Sequence, residues 1–135
     1  MKSSGTYQFN RVLLIDDNEI DNFINERIIS SSNFSSTCVV KTSTDAAIEY
    51  LNSLAGQVDL LPQIIFLDLN MPVKDGFVFL EQFNSVDEKT KNFCKIVVLS
   101  SSISPDDINK ASANPHVIRY LNKPLSEKYL EVIEA

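Results

Sequence analysis

The sequence predicts an α/β domain in which helices cover both faces of a five-stranded parallel sheet. Short apolar runs alternate five times with segments of helical period, which is the pattern of that fold class. Three of the runs are unbroken stretches of β-branched residues or leucine, as in parallel strands that are covered on both faces. The length of 135 residues suits one domain. We expect a lead over residues 1–10 and a single domain over residues 11–135.

The five predicted strands are the apolar runs. They are Val12–Ile15, Thr37–Val40, Ile64–Leu67, Ile96–Leu99 and Val117–Leu121. The first helix is predicted over Glu19–Ser31, with Asn18 as its N-cap. Its apolar spacing predicts an inward stripe that consists of Ile20, Phe23, Ile24 and Ile28.

Four further helices are predicted from capping signals and apolar spacing. The second covers about Asp45–Leu54 and ends near Gly56, and the third follows Gly76. Ser104 and Pro105 favour the start of the fourth helix. The fifth runs from about Ser126 to the end of the chain, and residues 85–93 are expected to form a polar loop.

The composition excludes several functional classes. The net charge is −6, with 12 basic and 18 acidic residues, so binding to a nucleic-acid backbone is not expected. No run reaches the ~18 to 20 apolar residues of a membrane span, and the N-terminus lacks the apolar core of a signal peptide, so we expect no membrane insertion and a cytoplasmic location. The single histidine, His116, has no neighbouring ligands for a zinc site.

Polar residues follow the ends of four predicted strands. In open α/β sheets, ligands bind beyond the carboxyl ends of the strands, so these side chains are expected to share one cleft. They are Asp16 and Asp17 after the first strand, Asp68 after the third, Ser100, Ser101 and Ser102 after the fourth, and Asn122 and Lys123 after the fifth.

The charges in this cleft predict a bound cation. Two unit charges ~4 Å apart repel by roughly 4 kcal/mol at an effective dielectric constant of 20. Three carboxylates therefore need compensation, and Lys123 offsets only one of them. Ligands that are all oxygen select a hard ion, and a small ion held by few carboxylates resembles magnesium more than calcium.

A carboxylate beside a magnesium ion and a lysine suits phosphoryl transfer. Catalysis of that reaction is mostly positioning and charge neutralisation, and a carboxylate can serve as the nucleophile. The chain lacks the GxxxxGK[ST] loop and has only three glycines, so a nucleotide-binding loop is not expected. The phosphoryl donor is therefore expected to be another protein.

These motifs resemble the receiver domain of bacterial two-component response regulators, including the single-domain chemotaxis regulators, over residues 11–135. The residues that carry the resemblance are Asp16 and Asp17, the loop Asp68–Pro72 followed by Gly76, Ser100, Lys123 with Pro124, and Tyr120 three positions before the lysine. The resemblance implies a flavodoxin-like strand order of 2-1-3-4-5 with five helices on two faces. It also implies a cis peptide bond before Pro124.

The resemblance implies that Asp68 is the phosphoacceptor and that a histidine kinase or histidine phosphotransfer protein is the donor. The implied ligands of Mg²⁺ are Asp17, Asp68, the backbone carbonyl of Asn70 and, through water, Asp16. Lys123 would pair with one phosphoryl oxygen, and Ser100 would donate a hydrogen bond to another. Such a domain is a signalling module that catalyses its own phosphorylation and slow dephosphorylation, rather than an enzyme with a separate substrate.

The resemblance further implies a switch that an unknown downstream protein reads. Movement of Ser100 toward the phosphoryl group would let Tyr120 turn inward, which changes the face made by the fourth helix, fifth strand and fifth helix. Asn70 and Ser102 are expected to flank the hydrolytic water and to set the lifetime of the phosphorylated state.

Blander and competing interpretations exist for the same residues. The acidic residues near position 16 could simply cap the first helix, and Tyr120 could be a core residue. A degenerate receiver would bind partners without phosphorylation, but the complete set of Asp17, Asp68, Ser100 and Lys123 argues against it. A phosphatase with an aspartate nucleophile typically has a DxDx[TV] pattern after its first strand, which this chain lacks.

Overall fold

The computed structural model describes residues 6–133, which form a five-stranded parallel sheet in the order β2-β1-β3-β4-β5. The strands are β1 (Phe9–Ile15), β2 (Ser35–Lys41), β3 (Ile64–Leu67), β4 (Lys95–Ser100) and β5 (Val117–Asn122). The predicted fold class and strand order are confirmed. The sheet begins at Phe9, two residues before the predicted domain, and residues 1–5 of the predicted lead lie outside the described residues.

Six α-helices occur within residues 6–133, one more than predicted. They are α1 (Glu19–Ser31), α2 (Thr44–Ser53), α3 (Gly76–Phe83), α4 (Glu88–Phe93), α5 (Pro105–Ser112) and α6 (Glu127–Glu131). A 3₁₀ turn at Val58–Leu60 precedes β3. No helix in this part of the chain is long and apolar enough to cross a membrane.

The helix α4 corrects the prediction of a polar loop over residues 85–93. Its cap is Asp87, whose side chain accepts a hydrogen bond from the Lys89 N–H. Thr90 is its one fully buried residue. Because a helix of six residues with one buried anchor has no apolar stripe, hydrophobic periodicity could not reveal it.

Alternate residues of the central strands pack against helices on opposite faces of the sheet. One face has a core that consists of residues such as Leu13, Ile15, Ala47, Leu51, Ile65, Phe79 and Phe83, from β1, β3, α2 and α3. The other has a core that includes Val12, Leu14, Ile29, Phe66, Val97 and Leu130, from β1, β3, β4, α1 and α6. The central strands are therefore rigid supports, and their carboxyl ends have fixed positions.

The helix α1 has its predicted bounds, but its predicted inward face is wrong. Ile20, Phe23 and Ile24 are 71%, 61% and 43% exposed. The residues that α1 buries are Asn22, Asn25 and Ile29, with Ile28 half-buried. Polar contacts near the start of the helix, described below, lie on the same side of α1 as its buried residues.

Gly76 fixes the loop between β3 and α3. A Cβ atom at this position would lie 2.7 Å from the Asp68 carbonyl oxygen and 2.8 Å from the Leu69 Cα. The Gly76 N–H donates to the Leu69 carbonyl at 2.9 Å, and Thr44 donates its hydroxyl to the carbonyls of Lys74 and Asp75. This loop therefore holds the residue at position 68 firmly at the end of β3.

Gly76→Ala is expected to lower the free energy of unfolding by roughly 3 kcal/mol, because the new methyl group would overlap backbone atoms that cannot move aside. The matched control is Gly56→Ala. Gly56 has a φ of 81° but no atom near its absent Cβ, so only backbone strain of about 1 kcal/mol is expected there. Urea denaturation of both variants measures the difference, and equal losses would contradict the steric explanation.

Candidate functional site

Three predicted carboxylates meet where β1 and β3 end side by side. Ile15 and Leu67 are register partners, and the Asp68 N–H donates to the Ile15 carbonyl at 3.0 Å. The next residues of both strands therefore enter the same space. Carboxylate oxygens of Asp16, Asp17 and Asp68 all lie within 4.8 Å of one another.

Asp16 is the most enclosed of the three carboxylates. One oxygen, Oδ1, accepts the Asn18 N–H at 3.0 Å, and the other, Oδ2, accepts Lys123 Nζ at 2.8 Å. Its backbone carbonyl accepts Asn22 Nδ2 at 2.8 Å. Because both carboxylate oxygens already have donors, Asp16 is better placed to hold a cation through water than to coordinate it directly.

Lys123 reaches the acidic groups from the end of β5, the last strand in the order of the sheet. The chain positions it through β5, and its N–H donates to the Ser100 carbonyl at 2.9 Å. Its ammonium lies 2.8 Å from Asp16, 2.9 Å from Asp21 and 3.5 Å from Asp68. Burial lowers the pKa of Lys123, but hydrogen bonds to Asp16 and Asp21 and the charge of Asp68 outweigh it and raise the pKa above its ordinary value. The peptide bond that follows, to Pro124, is cis.

Asp68 is buried, and its surroundings disfavour the ionised form of its carboxyl group. Burial first, and then the charge of Asp16, raise the pKa of Asp68 to about 6, although Lys123 and a backbone hydrogen bond from Asn70 act in the opposite direction. At neutral pH the carboxylate is therefore ionised and only partly compensated. A carboxylate in this state can attract cations and can act as a nucleophile.

The mouth of the site is formed by exposed residues, among them Asp17 and Asn70. The three carboxylates that meet here offer only oxygen atoms as metal ligands, and together they carry more negative charge than Lys123 neutralises. This donor set and charge fit a hard divalent cation such as Mg²⁺.

Ser100 begins a hydrogen-bonded chain in the loop between β4 and α5. Ser100 is fully buried, and its Oγ accepts the Ser102 N–H at 3.1 Å. The Ser102 carbonyl accepts two donors, the Tyr120 hydroxyl at 2.9 Å and Asn122 Nδ2 at 3.1 Å. The structure thus connects the predicted switch pair through the backbone of Ser102.

The side chain of Ser102 also has partners within the loop. Its hydroxyl donates to Asp107 at 2.7 Å and accepts the Ser104 N–H at 3.2 Å. The role of Ser102 beside a hydrolytic water stays a prediction, and such a role would require its hydroxyl to leave Asp107. Asn70 is exposed at the opening, where a water can reach it.

The sequence analysis did not identify Asp21 or the role of Asn122. Asp21 lies in the first turn of α1, where an acidic residue is ordinarily explained by the helix dipole. Asn122 is the residue before Lys123, so its inclusion in the strand-end set was the only available signal. The pairing of each with a distant partner depends on tertiary structure.

Comparison with known proteins points to one family. A family model for the response regulator receiver domain matches residues 12–133. The chain is 34% identical over 115 residues to the probable methanogenesis regulatory protein FilR2 of Methanothrix harundinacea, and this similarity covers 85% of the chain and 72% of that protein.

Solved structures agree with this similarity. The crystal structure of a two component response regulator from Cytophaga hutchinsonii has a TM-score of 0.84 and 36% identity and covers 93% of each chain. The Mn²⁺-bound form of the response regulator Rcp1 has a TM-score of 0.70 and 28% identity and covers 90% of this chain and 86% of that one.

Asp68→Asn is expected to stabilise the metal-free protein by roughly 1 to 3 kcal/mol at pH 7, because it removes a buried, partly compensated charge. The folded-state pKa of about 6 exceeds the unfolded value, so the contribution of Asp68 to wild-type stability is lost as pH rises from about 4 to 6. The difference between variant and wild type should therefore be small near pH 4 and complete above pH 6.

Thermal denaturation in the presence of a chelator, at pH 4 to 8, measures this difference. Asp59→Asn is the matched control, because Asp59 is exposed and lies in the 3₁₀ turn before β3. A less stable Asp68→Asn variant at pH 7 would contradict the electrostatic account.

Proposed function

Because the chain belongs to the response regulator receiver domain family, we propose that Asp68 accepts a phosphoryl group from a phosphohistidine of a histidine kinase or histidine phosphotransfer protein, with Mg²⁺ as cofactor. The observation that carries the proposal is the position of Asp68 beside two other carboxylates and 3.5 Å from the Lys123 ammonium. A nucleophile, a cation site and a fixed positive charge thus occupy one opening.

The proposed transfer uses a carboxylate oxygen of Asp68 as the nucleophile. The oxygen forms a bond to phosphorus as the P–N bond of the phosphohistidine breaks, and the electron pair of that bond returns to the imidazole nitrogen. Lys123 offsets the charge on a phosphoryl oxygen. Ser100 Oγ accepts a hydrogen bond from Ser102, so its own proton remains available for another phosphoryl oxygen.

Mg²⁺, when bound, neutralises charge on the transferred group. The residues proposed to hold it are Asp17, Asp68, the backbone carbonyl of Asn70 and, through water, Asp16. Support comes from the oxygen-only cluster and from the similar protein Rcp1, which has been crystallised with Mn²⁺. We place the reaction in the cytoplasm, where unpaired cysteines such as Cys38 and Cys94 are usual.

Phosphorylation is proposed to change the surface formed by α5, β5 and α6. If Ser100 turned toward the phosphoryl group, its hydrogen bond from the Ser102 N–H would be lost. The Ser102 carbonyl accepts hydrogen bonds from Tyr120 and Asn122, so a local change at Ser102 would reach β5. This hydrogen-bonded chain supports the switch, which an as yet unknown downstream protein would read.

The proposed phosphoacceptor can be tested with a small-molecule phosphoryl donor. Incubation with acetyl phosphate and Mg²⁺ should add one phosphoryl group to the wild-type protein, because a small donor needs no docking surface. Asp68→Asn should abolish the addition, and the matched control Asp59→Asn should retain it. Intact-protein mass spectrometry measures the result. An unphosphorylated wild type would favour the degenerate receiver, whereas undiminished labelling of Asp68→Asn would place the acceptor elsewhere.

The donor protein is proposed to dock on the exposed apolar side chains of α1. Asp68 is 5% exposed, so a phosphohistidine reaches it only if the donor rests on the surrounding surface. We call Ile20, Phe23 and Ile24 the α1 apolar patch. It starts three residues after Asp17, and exposed apolar patches of this kind mark protein interfaces.

Two further exposed apolar residues lie on loops at the carboxyl ends of the strands, the end of the sheet where Asp68 lies. Val73 follows β3 and is 101% exposed, and Ile103 follows β4 and is 78% exposed. Val73 has a φ of 68°, a conformation that β-branched residues rarely adopt. With the α1 apolar patch, these side chains give a donor apolar contacts from three segments around the opening.

Phe23→Asp is expected to slow phosphoryl transfer from a histidine phosphotransfer protein at least 10-fold, because loss of a central apolar contact costs about 1 to 2 kcal/mol or more. The rate with acetyl phosphate should be unchanged, since the variant leaves the site intact. Radiolabel transfer from any phosphorylated donor that labels the wild type measures the first rate.

Leu60→Asp is the matched control, because Leu60 is an exposed apolar residue that precedes β3, at the amino ends of the strands and away from the site. It should leave both rates unchanged. Equal slowing of the two donors by Phe23→Asp would indicate damage to the site rather than to docking.

A further inference from the structure

The hydrogen bonds of Lys123 distinguish one acidic residue from the others. An ammonium has three N–H donors, and three carboxylates surround this one. Asp16 and Asp21 make the short contacts, at 2.8 and 2.9 Å, whereas Asp68 lies at 3.5 Å. In this structure Lys123 is therefore held mainly by groups other than the phosphoacceptor.

A phosphoryl group on Asp68 brings a new oxygen to this ammonium. Lys123 can donate to it fully only if one present acceptor gives up its share. The side chain of Asp16 is 2% exposed and is also fixed by the Asn18 N–H, so its release would leave a buried charge without its cation. The side chain of Asp21 is 37% exposed, so water can replace the lysine there at lower cost.

On the basis of the proposed function, we infer that Asp21 is a positioning residue that holds Lys123 before phosphorylation and releases it to the phosphoryl group. The bond between Asp21 and Lys123 competes with the bond between Lys123 and a phosphoryl oxygen. Asp21 thereby lowers the affinity of the site for the phosphoryl group. It keeps the unphosphorylated state well ordered and makes the phosphorylated state less favourable.

The charge of Asp21 has a second effect, of opposite sign, on cation binding. An additional carboxylate near Asp16 and Asp68 attracts a divalent cation, and its pairing with Lys123 draws the ammonium toward α1. Removal of Asp21 frees Lys123 to approach Asp68. The same substitution should therefore strengthen binding of a phosphoryl analogue and weaken binding of Mg²⁺, whereas general damage to the site would weaken both.

The test uses Asp21→Asn with trifluoroberyllate as the phosphoryl analogue. At saturating Mg²⁺, we expect about 3- to 10-fold tighter analogue binding than in the wild type, and in the absence of analogue a few-fold weaker Mg²⁺ binding. Isothermal titration calorimetry measures both affinities. The backbone cap of α1 is retained, because the bond to Asn18 uses the N–H of residue 21.

Two further variants separate the hydrogen bond from the charge. Glu19→Gln removes one charge from the same turn of α1, and no contact joins Glu19 to Lys123, so its analogue affinity should stay at the wild-type value. Asp21→Glu keeps a carboxylate that can reach Lys123 and should restore both affinities. Unchanged analogue binding in Asp21→Asn, or equal tightening in Glu19→Gln, would overturn the inference.

A measurement without metal or analogue tests the pairing itself. In a chelator, the Tm loss of the double variant Asp21→Asn, Lys123→Gln should be smaller than the two single losses combined, because either change already breaks the bond. Additive losses would overturn the inference. A wild type that neither binds the analogue nor accepts a phosphoryl group would instead refute the proposed function. That result is independent of the Tm comparison among the single and double variants.

Discussion

The rest of the site depends on the ion pairs that the Lys123 ammonium forms with the surrounding carboxylates. The parallel pairing of β1 with β3 places carboxylates at the ends of both strands in one small space. Such an arrangement repels itself, and burial of Asp16 and Asp68 increases the cost. Only a cation held from outside these two strands can compensate. Lys123 supplies it from the end of β5, and its contacts join β5, β1 and α1.

Compensation of the negative charges in this arrangement is incomplete. One ammonium neutralises one of the gathered carboxylates, so the site keeps a net negative charge that favours a divalent cation. Burial first, and then the neighbouring charge of Asp16, raise the pKa of Asp68 to about 6. This value leaves the carboxylate ionised at neutral pH and more basic than an exposed aspartate. A fully neutralised site would be more stable without metal, but it would not attract the cation that the proposed transfer uses.

The sequence predicted the strands and their end residues well because both depend on local signals. Continuous apolar runs identify buried strands, and polar residues at their ends follow directly along the chain, as with Asp68 after Ile64–Leu67. The missed features depend on tertiary contacts. The helix α4 rests on a cap and one buried threonine, and Asp21 was not identified because its partner lies 102 positions away. A periodicity of 3.6 residues identifies a helix but does not say which of two faces packs inward.

The orientation of α1 follows from contacts with the site as well as from burial of Ile29 in the core. The helix starts two residues after Asp17, so its first turn lies close to the carboxylates. Asn22 donates to the Asp16 carbonyl, and Asp21 reaches Lys123. These contacts and the burial of Ile29 hold the rotation of the helix, even though the buried Asn22 Oδ1 has no hydrogen-bond partner. Apolar residues at positions 20, 23 and 24 then face solvent, which costs stability in the isolated chain. The contacts around Asp68, the proposed phosphoacceptor, therefore also help to expose the surface on which we propose that the donor docks.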